Sequence, residues 1–389
     1  MRIVQRILNL SPSETLAIKA KADDLRSHGK SVISLCAGEP DFDTPQSIKE
    51  AAKKALDEGF TKYTATGGIA PLKKAVCDHI KKHKKLDYLP HEVIITAGAK
   101  QALYNFFQCV LEPEDEVLVP SPYWVSYPAF VHLSGARFKP IPTLEKNHFK
   151  LTEQDLEKSV SSKSKILVLC SPSNPTGSVY SQKELEALLP IIQKNNLFLV
   201  CDDIYEDLVY DEPTAPHLLK SHPELKDQIL HVSGVSKSFS MTGWRLGWAA
   251  GPKNVIASME SLQSHSTSNP NSIAQKAGLF ALTHSIPELE LMKKEFEKRR
   301  DFLCERLSAI QGISYIKPAG AFYIFVNISK CETNSNDFSH FLLDKYGVAV
   351  VPGYAFGMDG FIRMSFTLST SQLSEAVDRL QKCLKDNYL

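Results

Sequence analysis

No stretch of this 389-residue chain approaches the ~20 apolar residues that a helix needs to cross a bilayer. Charge of one sign does not accumulate either. The chain has 45 Lys and Arg against 44 Asp and Glu, a formal net charge of +1. That balance gives nucleic acid or an anionic membrane no electrostatic hold, so neither is expected as a partner. There are eight cysteines, and none forms a C-x-x-C pair. Cys170 and Cys201 lie inside apolar runs and read as small buried hydrophobes, so a reducing, cytoplasmic setting is expected. The opening MRIVQRILNLSPSE has too little apolar length for a signal peptide and no small-residue cleavage site. Internal repeats and low-complexity tracts are absent.

Several routes to chemistry are missing as well. There is no G-x-S-x-G elbow, no H-E-x-x-H, no G-x-x-x-x-G-K-[ST] loop and no G-x-G-x-x-G turn. His79 and His83 have the i, i+4 spacing of a metal pair. Lysines flank both and no third ligand is evident, so a solvated helix face accounts for them and no metal is assigned.

What is present is an ordinary globular composition, 43% hydrophobic and 23% charged, over a length that suggests two domains. Short apolar runs at 32–38, 92–98, 116–122, 165–172, 197–203, 229–234 and 245–251 read as strands. Most are apolar on both faces, as strands are when helices cover a sheet on both sides. Helical patterns lie between them; in 181–195, Leu185, Leu188, Leu189 and Ile192 recur at helical spacing. This alternation predicts an α/β fold with a mainly parallel sheet. From residue 288 the character changes. A long charged helix over 288–310 precedes AFYIFVNI, VAVVPG and FIRMSF, and a last helix presents Leu373, Ala376, Val377, Leu380 and Leu384 on one face. A smaller α+β domain is expected there, with the N-terminal stretch packed against it. Parallel sheets bind ligands at strand C-termini, so the chemistry is expected at the strand ends.

Lys237 follows an apolar run in SGVSKSFSMTGWRLGW, with Arg245 eight positions on. An amine attacks an aldehyde only when unprotonated, and burial beside a cation favours that form. Taken alone, Lys237 reads more readily as a strand-flanking lysine with its head in water. Arg245, between Trp244 and Leu246, reads as a buried arginine that needs an anion. Asp202 ends an apolar run and is either a helix cap or the partner of a buried cationic nitrogen. Tyr205 would share its side if a helical turn begins there. SPSNPTG is a turn that could aim Asn174 into the strand-end crevice. TAGAKQAL is a glycine turn opening a helix whose first N–H groups could hold an anion. Arg363 shares a strand face with Phe361 and Ser365; it takes either a ligand carboxylate or an internal salt bridge.

In order, AGEPDFDTP, KYTATGG, GAKQAL, SPYWVSYP, NPTG, DDIY and GVSKSFSMTGWRLG run through essentially the whole chain. Together they resemble the class I/II pyridoxal-phosphate aminotransferases of fold type I, most of all the bacterial-type aspartate aminotransferases, some of which also accept prephenate. The resemblance implies a large domain at 46–287 built on a mainly parallel seven-stranded sheet. It implies a small α+β domain formed by 1–45 together with 288–389. Pyridoxal 5′-phosphate would be held by Lys237 as a Schiff base, and Lys237 would then shuttle the substrate proton. Asp202 would pair with the ring nitrogen, Asn174 and Tyr205 would bond the phenolic oxygen, and Trp124 would stack on the ring. Ala99, Lys100 and Arg245 would bind the phosphate, with Tyr63 reaching in from the second subunit of a homodimer. Gly38 and Arg363 would hold the substrate α-carboxylate, beside Trp124 and Asn174. Gly234 stands where some relatives have a phosphate-binding serine, a contact that Ser236 or Ser233 could take. Asp203 stands where many relatives have Glu.

The implied reaction is ping-pong transfer of an amino group from aspartate to 2-oxoglutarate. Lys100, assisted by Ser13 and Thr15, is the candidate for the substrate's distal carboxylate. Other readings are an aromatic, prephenate or broad-specificity aminotransferase, or a lyase on the same scaffold. A cofactor-sensing regulator is disfavoured, because the motifs start by residue 38.

Overall fold

Seven strands form the central sheet of the computed structural model, in the order Val93–Thr96, Gly247–Ala250, Ile229–Gly234, Phe198–Asp202, Ser164–Cys170, Glu116–Ser121, Arg137–Pro142. Residues 2–8, 10, 14–211 and 215–388 are described. The pairings from 229–234 through to 137–142 are parallel, and 247–250 runs antiparallel to both of its neighbours. Successive side chains leave opposite faces of a strand. Leu118, Leu167 and Leu199 therefore join one apolar cluster, while Val117, Val119, Ile166, Val168 and Val200 join another on the other face. Both clusters are buried under helices, which is why these strands lack polar alternation.

Two strand expectations need correcting. Within 32–38 only Ile33–Ser34 forms a ladder, and it pairs with Val348–Ala349 away from the central sheet. The seventh central strand is instead Arg137–Pro142. It pairs on one side only, with Glu116–Ser121. An edge strand tolerates proline because one row of its N–H groups has no partner to lose. Pro140 and Pro142 broke the apolar pattern and hid it.

A second, antiparallel sheet runs Val351–Pro352, Phe361–Ser365, Tyr323–Asn327, Ser314–Tyr315. Helices Glu288–Ser308 and Thr370–Asn387 pack on it; Leu373, Ala376, Val377, Leu380 and Leu384 are all buried with Leu303 and Leu307. Helix Glu14–Ser27 places Ile18 and Ala22 against Leu343, Ala349 and Val351. No helix among the described residues is long and apolar enough to cross a membrane.

Candidate active site

A cavity of about 1010 Å³ opens where the C-terminal ends of the parallel strands meet the second sheet. Lys237 lies three residues past strand Ile229–Gly234. Its Nζ donates to the Gly38 carbonyl at 2.6 Å. Burial lowers its pKa to about 8; Arg245 and Arg363 push the same way, against Glu39 and Asp202. The physical conditions for a reactive amine are therefore met.

Asp202 ends strand Phe198–Asp202. Its Oδ2 accepts from the Tyr127 hydroxyl at 2.6 Å, while its buried Oδ1 has no partner. Burial raises this carboxyl to about 6, and the Tyr127 hydrogen bond opposes the rise. Tyr205 follows in the next turn. Its hydroxyl shares a 2.9 Å hydrogen bond with Tyr323, and its ring lies 5.9 Å from Lys237 Nζ.

Arg363 is buried on strand Phe361–Ser365. Nη1 donates to Asn174 Oδ1 and Nη2 to the Cys36 carbonyl, each at 2.9 Å, and Nε has no partner. Its guanidinium stacks 4.4 Å from the Tyr323 ring. No carboxylate among the described residues pairs with it, so the internal salt bridge offered by the sequence does not form.

Arg245 departs from expectation. It is exposed rather than buried, in a left-handed turn at φ 52°, with Nη1 donating to the Thr242 carbonyl at 3.0 Å and Nη2 to Ala97 at 3.4 Å. That turn swings it from the strand to the mouth of helix Ala99–Val110. Gly98 precedes the helix at φ 80°, and a Cβ there would lie 2.8 Å from Arg245 Nη2. A Cβ at Gly247 would lie 2.3 Å from the Ala99 nitrogen. Two glycines thus let the helix N-terminus and the guanidinium converge, which makes an anion cradle.

Gly38, Ala99, Lys100, Trp124, Asn174, Asp202, Tyr205, Lys237, Arg245 and Arg363 all line the one cavity. Lys100 Nζ lies 5.0 Å from the Trp124 ring. Tyr63 is not among them and is 91% exposed. Thr15 lines the cavity with a buried hydroxyl that has no partner among the described residues, while Ser13 lies outside them. Ser236 also lines it; Ser233 turns away and donates to Glu206 Oε1 at 2.7 Å. Cys170 is a lining residue only partly buried, not the fully buried hydrophobe expected.

Sequence reading missed Tyr127 and Tyr323. Tyr127 stands three residues after Trp124, and it opens a short helix that turns its ring beneath the cavity. That spacing was a usable signal. Tyr323 lies in an unbroken apolar strand, and nothing local distinguishes it from a core residue.

Pyridoxal phosphate fits these residues. The free, buried Asp202 Oδ1 suits a cationic ring nitrogen, and the cradle at Gly98 and Arg245 suits a phosphate.

Comparison with known proteins agrees. The family model described as aminotransferase class I and II matches residues 30–380. An aspartate aminotransferase of Bacillus subtilis is 43% identical over 387 residues, 98% of each chain. An aspartate/prephenate aminotransferase of Nitrosomonas europaea is 42% identical, covering 99% of this chain and all of its own. The solved aspartate aminotransferase of Rhizobium meliloti superposes over the whole of both chains with a TM-score of 0.96 at 38% identity. The fold is therefore type I, the cofactor is pyridoxal phosphate, and the chain belongs to the class I and II aminotransferases.

Proposed function

We propose that this protein transfers the amino group of L-aspartate to 2-oxoglutarate, one substrate after the other in ping-pong order, in a homodimer of the cytoplasm. The observation that carries the reading is the meeting of three groups in one cavity. These are an amine with a lowered pKa (Lys237), a buried carboxylate with a free oxygen (Asp202) and an arginine without an internal anion (Arg363).

When bound, pyridoxal phosphate supplies an aldehyde carbon for amines and a ring that draws electrons from the substrate Cα. Lys237 Nζ would hold that carbon. With its pKa lowered to about 8 by burial, the Lys237 amine would be the group placed to take a proton from the substrate Cα and to give it back. Asp202 would pair with the ring nitrogen through Oδ1 and favour its protonated form, and Tyr127 fixes its other oxygen. Asn174 and Tyr205 would bond the phenolic oxygen, and Trp124 would cover the ring face. Arg245 and the N–H groups of Ala99 and Lys100 would hold the phosphate, with Ser236 beside them. Arg363 and the Gly38 backbone grip the α-carboxylate, with Asn174 bracing the guanidinium. Tyr63, exposed in a single chain, completes the partner's phosphate site. The chain divides functionally into 46–287, which holds the cofactor, and 1–45 with 288–389, which brings Arg363.

An acidic donor is favoured because Lys100 stands at the cavity wall with no carboxylate among the described residues paired to its ammonium. Aspartate in the names of the relatives supports the same choice. The name of the Nitrosomonas relative supports prephenate as a second acceptor. The test is a donor screen against 2-oxoglutarate, oxaloacetate and prephenate. Incubation with aspartate alone is expected to yield oxaloacetate and the pyridoxamine form of the enzyme without ammonia. Ammonia release would instead indicate a lyase.

A further inference from the structure

We propose that His79, His83 and Asp207 form a site, outside the reactive cavity, for one divalent transition-metal ion of the zinc class. The two histidines lie one turn apart on helix Ala70–Lys84, with ring centroids 4.2 Å apart. They are not on a solvated face. The His79 side chain is 9% exposed and His83 28%, because the turn after Asp202 folds over them. That turn delivers the third ligand, which no local pattern in the sequence announces. Asp207 Oδ1 lies 3.8 Å from His83 Nδ1, and one ligand atom from each of the three residues falls within 4.8 Å of the others. A tetrahedral ion with bonds of about 2.0–2.1 Å needs its ligand atoms roughly 3.4 Å apart. Half-exposed His83 and Asp207 can close that gap by side-chain rotation, and water can take the fourth position.

Local charge points the same way. Asp203, Glu206 and Asp207 bring three carboxylates together. Among the described residues, the only ammonium paired with them is Lys84, 2.9 Å from Asp203 and 2.7 Å from Glu206. Asp207 is left with His83 alone among the described residues. A cation bound by two imidazoles and this carboxylate supplies the missing charge. The adjacent buried trio of Asp203, His217 and His231 does not compete for the ion. Lys84 already occupies Asp203, and both imidazoles aim at the same oxygen, Oδ2. Imidazole ligands select zinc, nickel or copper over magnesium.

The test is calorimetric titration of chelator-treated holoenzyme with Zn²⁺, with Mg²⁺ as control. One Zn²⁺ per chain is expected, with affinity at least tenfold weaker in both His83→Ala and Asp207→Asn. Mg²⁺ should give no binding, and both variants should keep transaminase activity, since neither residue lines the cavity. Cobalt should give visible bands of a nitrogen and oxygen ligand set in the wild type and lose them in the variants. Absence of saturable Zn²⁺ binding, equal binding by wild type and variants, or equal binding of Mg²⁺ would overturn the proposal.

Discussion

The Tyr127 hydroxyl donates to Asp202 Oδ2 at 2.6 Å, beneath the cavity floor and out of contact with solvent. It favours the ionised carboxylate against the burial that drives the pKa up to about 6. A hydrogen bond to a charged group contributes about 1.5–3 kcal/mol, or one to two pKa units. In Tyr127→Phe the Asp202 carboxyl should therefore climb above neutrality and stop pairing with a ring cation. Cofactor affinity at pH 7 should fall roughly tenfold or more by the same free energy. In wild type, affinity should fall below about pH 6, and in the variant at a pH one to two units higher. Absorbance titration across pH measures both, and coincident profiles would reduce Tyr127 to a packing residue.

Lys237 should react as an amine of pKa about 8 in cofactor-free protein. At pH 7 its neutral fraction is then about a tenth, some hundreds of times that of an ordinary lysine. Labelling by an aldehyde and borohydride should follow that titration and land on the peptide carrying Lys237. Labelling that rises only above pH 10 would contradict the burial argument.

Arg363 and Lys100 are separable by donor. Arg363→Ala leaves Asn174 Oδ1 and the Cys36 carbonyl without their donor and removes the grip on every α-carboxylate. Losing one side of a buried charge pair costs about 2–5 kcal/mol, so kcat/KM should fall roughly thirtyfold or more for all donors. Lys100→Ala should instead raise KM for aspartate far more than for alanine or phenylalanine. Equal effects of Lys100→Ala on all three would remove it from distal-carboxylate binding.

Gly98→Ala tests the anion cradle. The backbone there is left-handed at φ 80°, and the new methyl would sit 2.8 Å from Arg245 Nη2. Arg245 must move away from the helix mouth. Cofactor retention through dialysis should drop, and free phosphate should compete less well for the site. Unchanged retention would show that Arg245 does not hold the phosphate.

How much of this was legible beforehand depended on the range of each interaction. Leu118 and Val119 announced a doubly covered strand because burial on both faces is written into adjacent residues. The strand at Arg137–Pro142 was not legible, because prolines at a sheet edge look like a loop until the neighbour is known. Lys237 and Asp202 stood out at strand ends, where a charge after an apolar run needs a reason. Tyr323 did not, since its role depends on Tyr205 and Arg363, which approach from other elements. Asp203 looked like a minor variation of a motif, yet its side chain joins a buried ionic network whose members come from helix Ala70–Lys84, from His217 and from His231 on strand Ile229–Gly234.

That network sets the last prediction. Lys84 is buried between Asp203 and Glu206, at 2.9 and 2.7 Å. The ion pairs hold both carboxyls well below the usual carboxylate range, despite burial, and raise the Lys84 ammonium above its ordinary value. Lys84→Met strands two buried carboxylates and should cost about 3–5 kcal/mol of stability. The signs fix the pH window. Depressed carboxyls contribute stability that is complete above their unfolded pKa of about 4 and is lost as pH falls through the folded values. The raised ammonium contributes stability that is complete below about 10.4 and is lost as pH rises past that value. Wild type should thus exceed Lys84→Met in thermal midpoint by the widest margin at near-neutral to mildly alkaline pH, and the margin should shrink in acid, first as the carboxyls stranded in the variant take up protons and then as Asp203 and Glu206 do so in wild type. A margin that stayed constant down to pH 2 would show that Lys84 acts there by filling space rather than by charge.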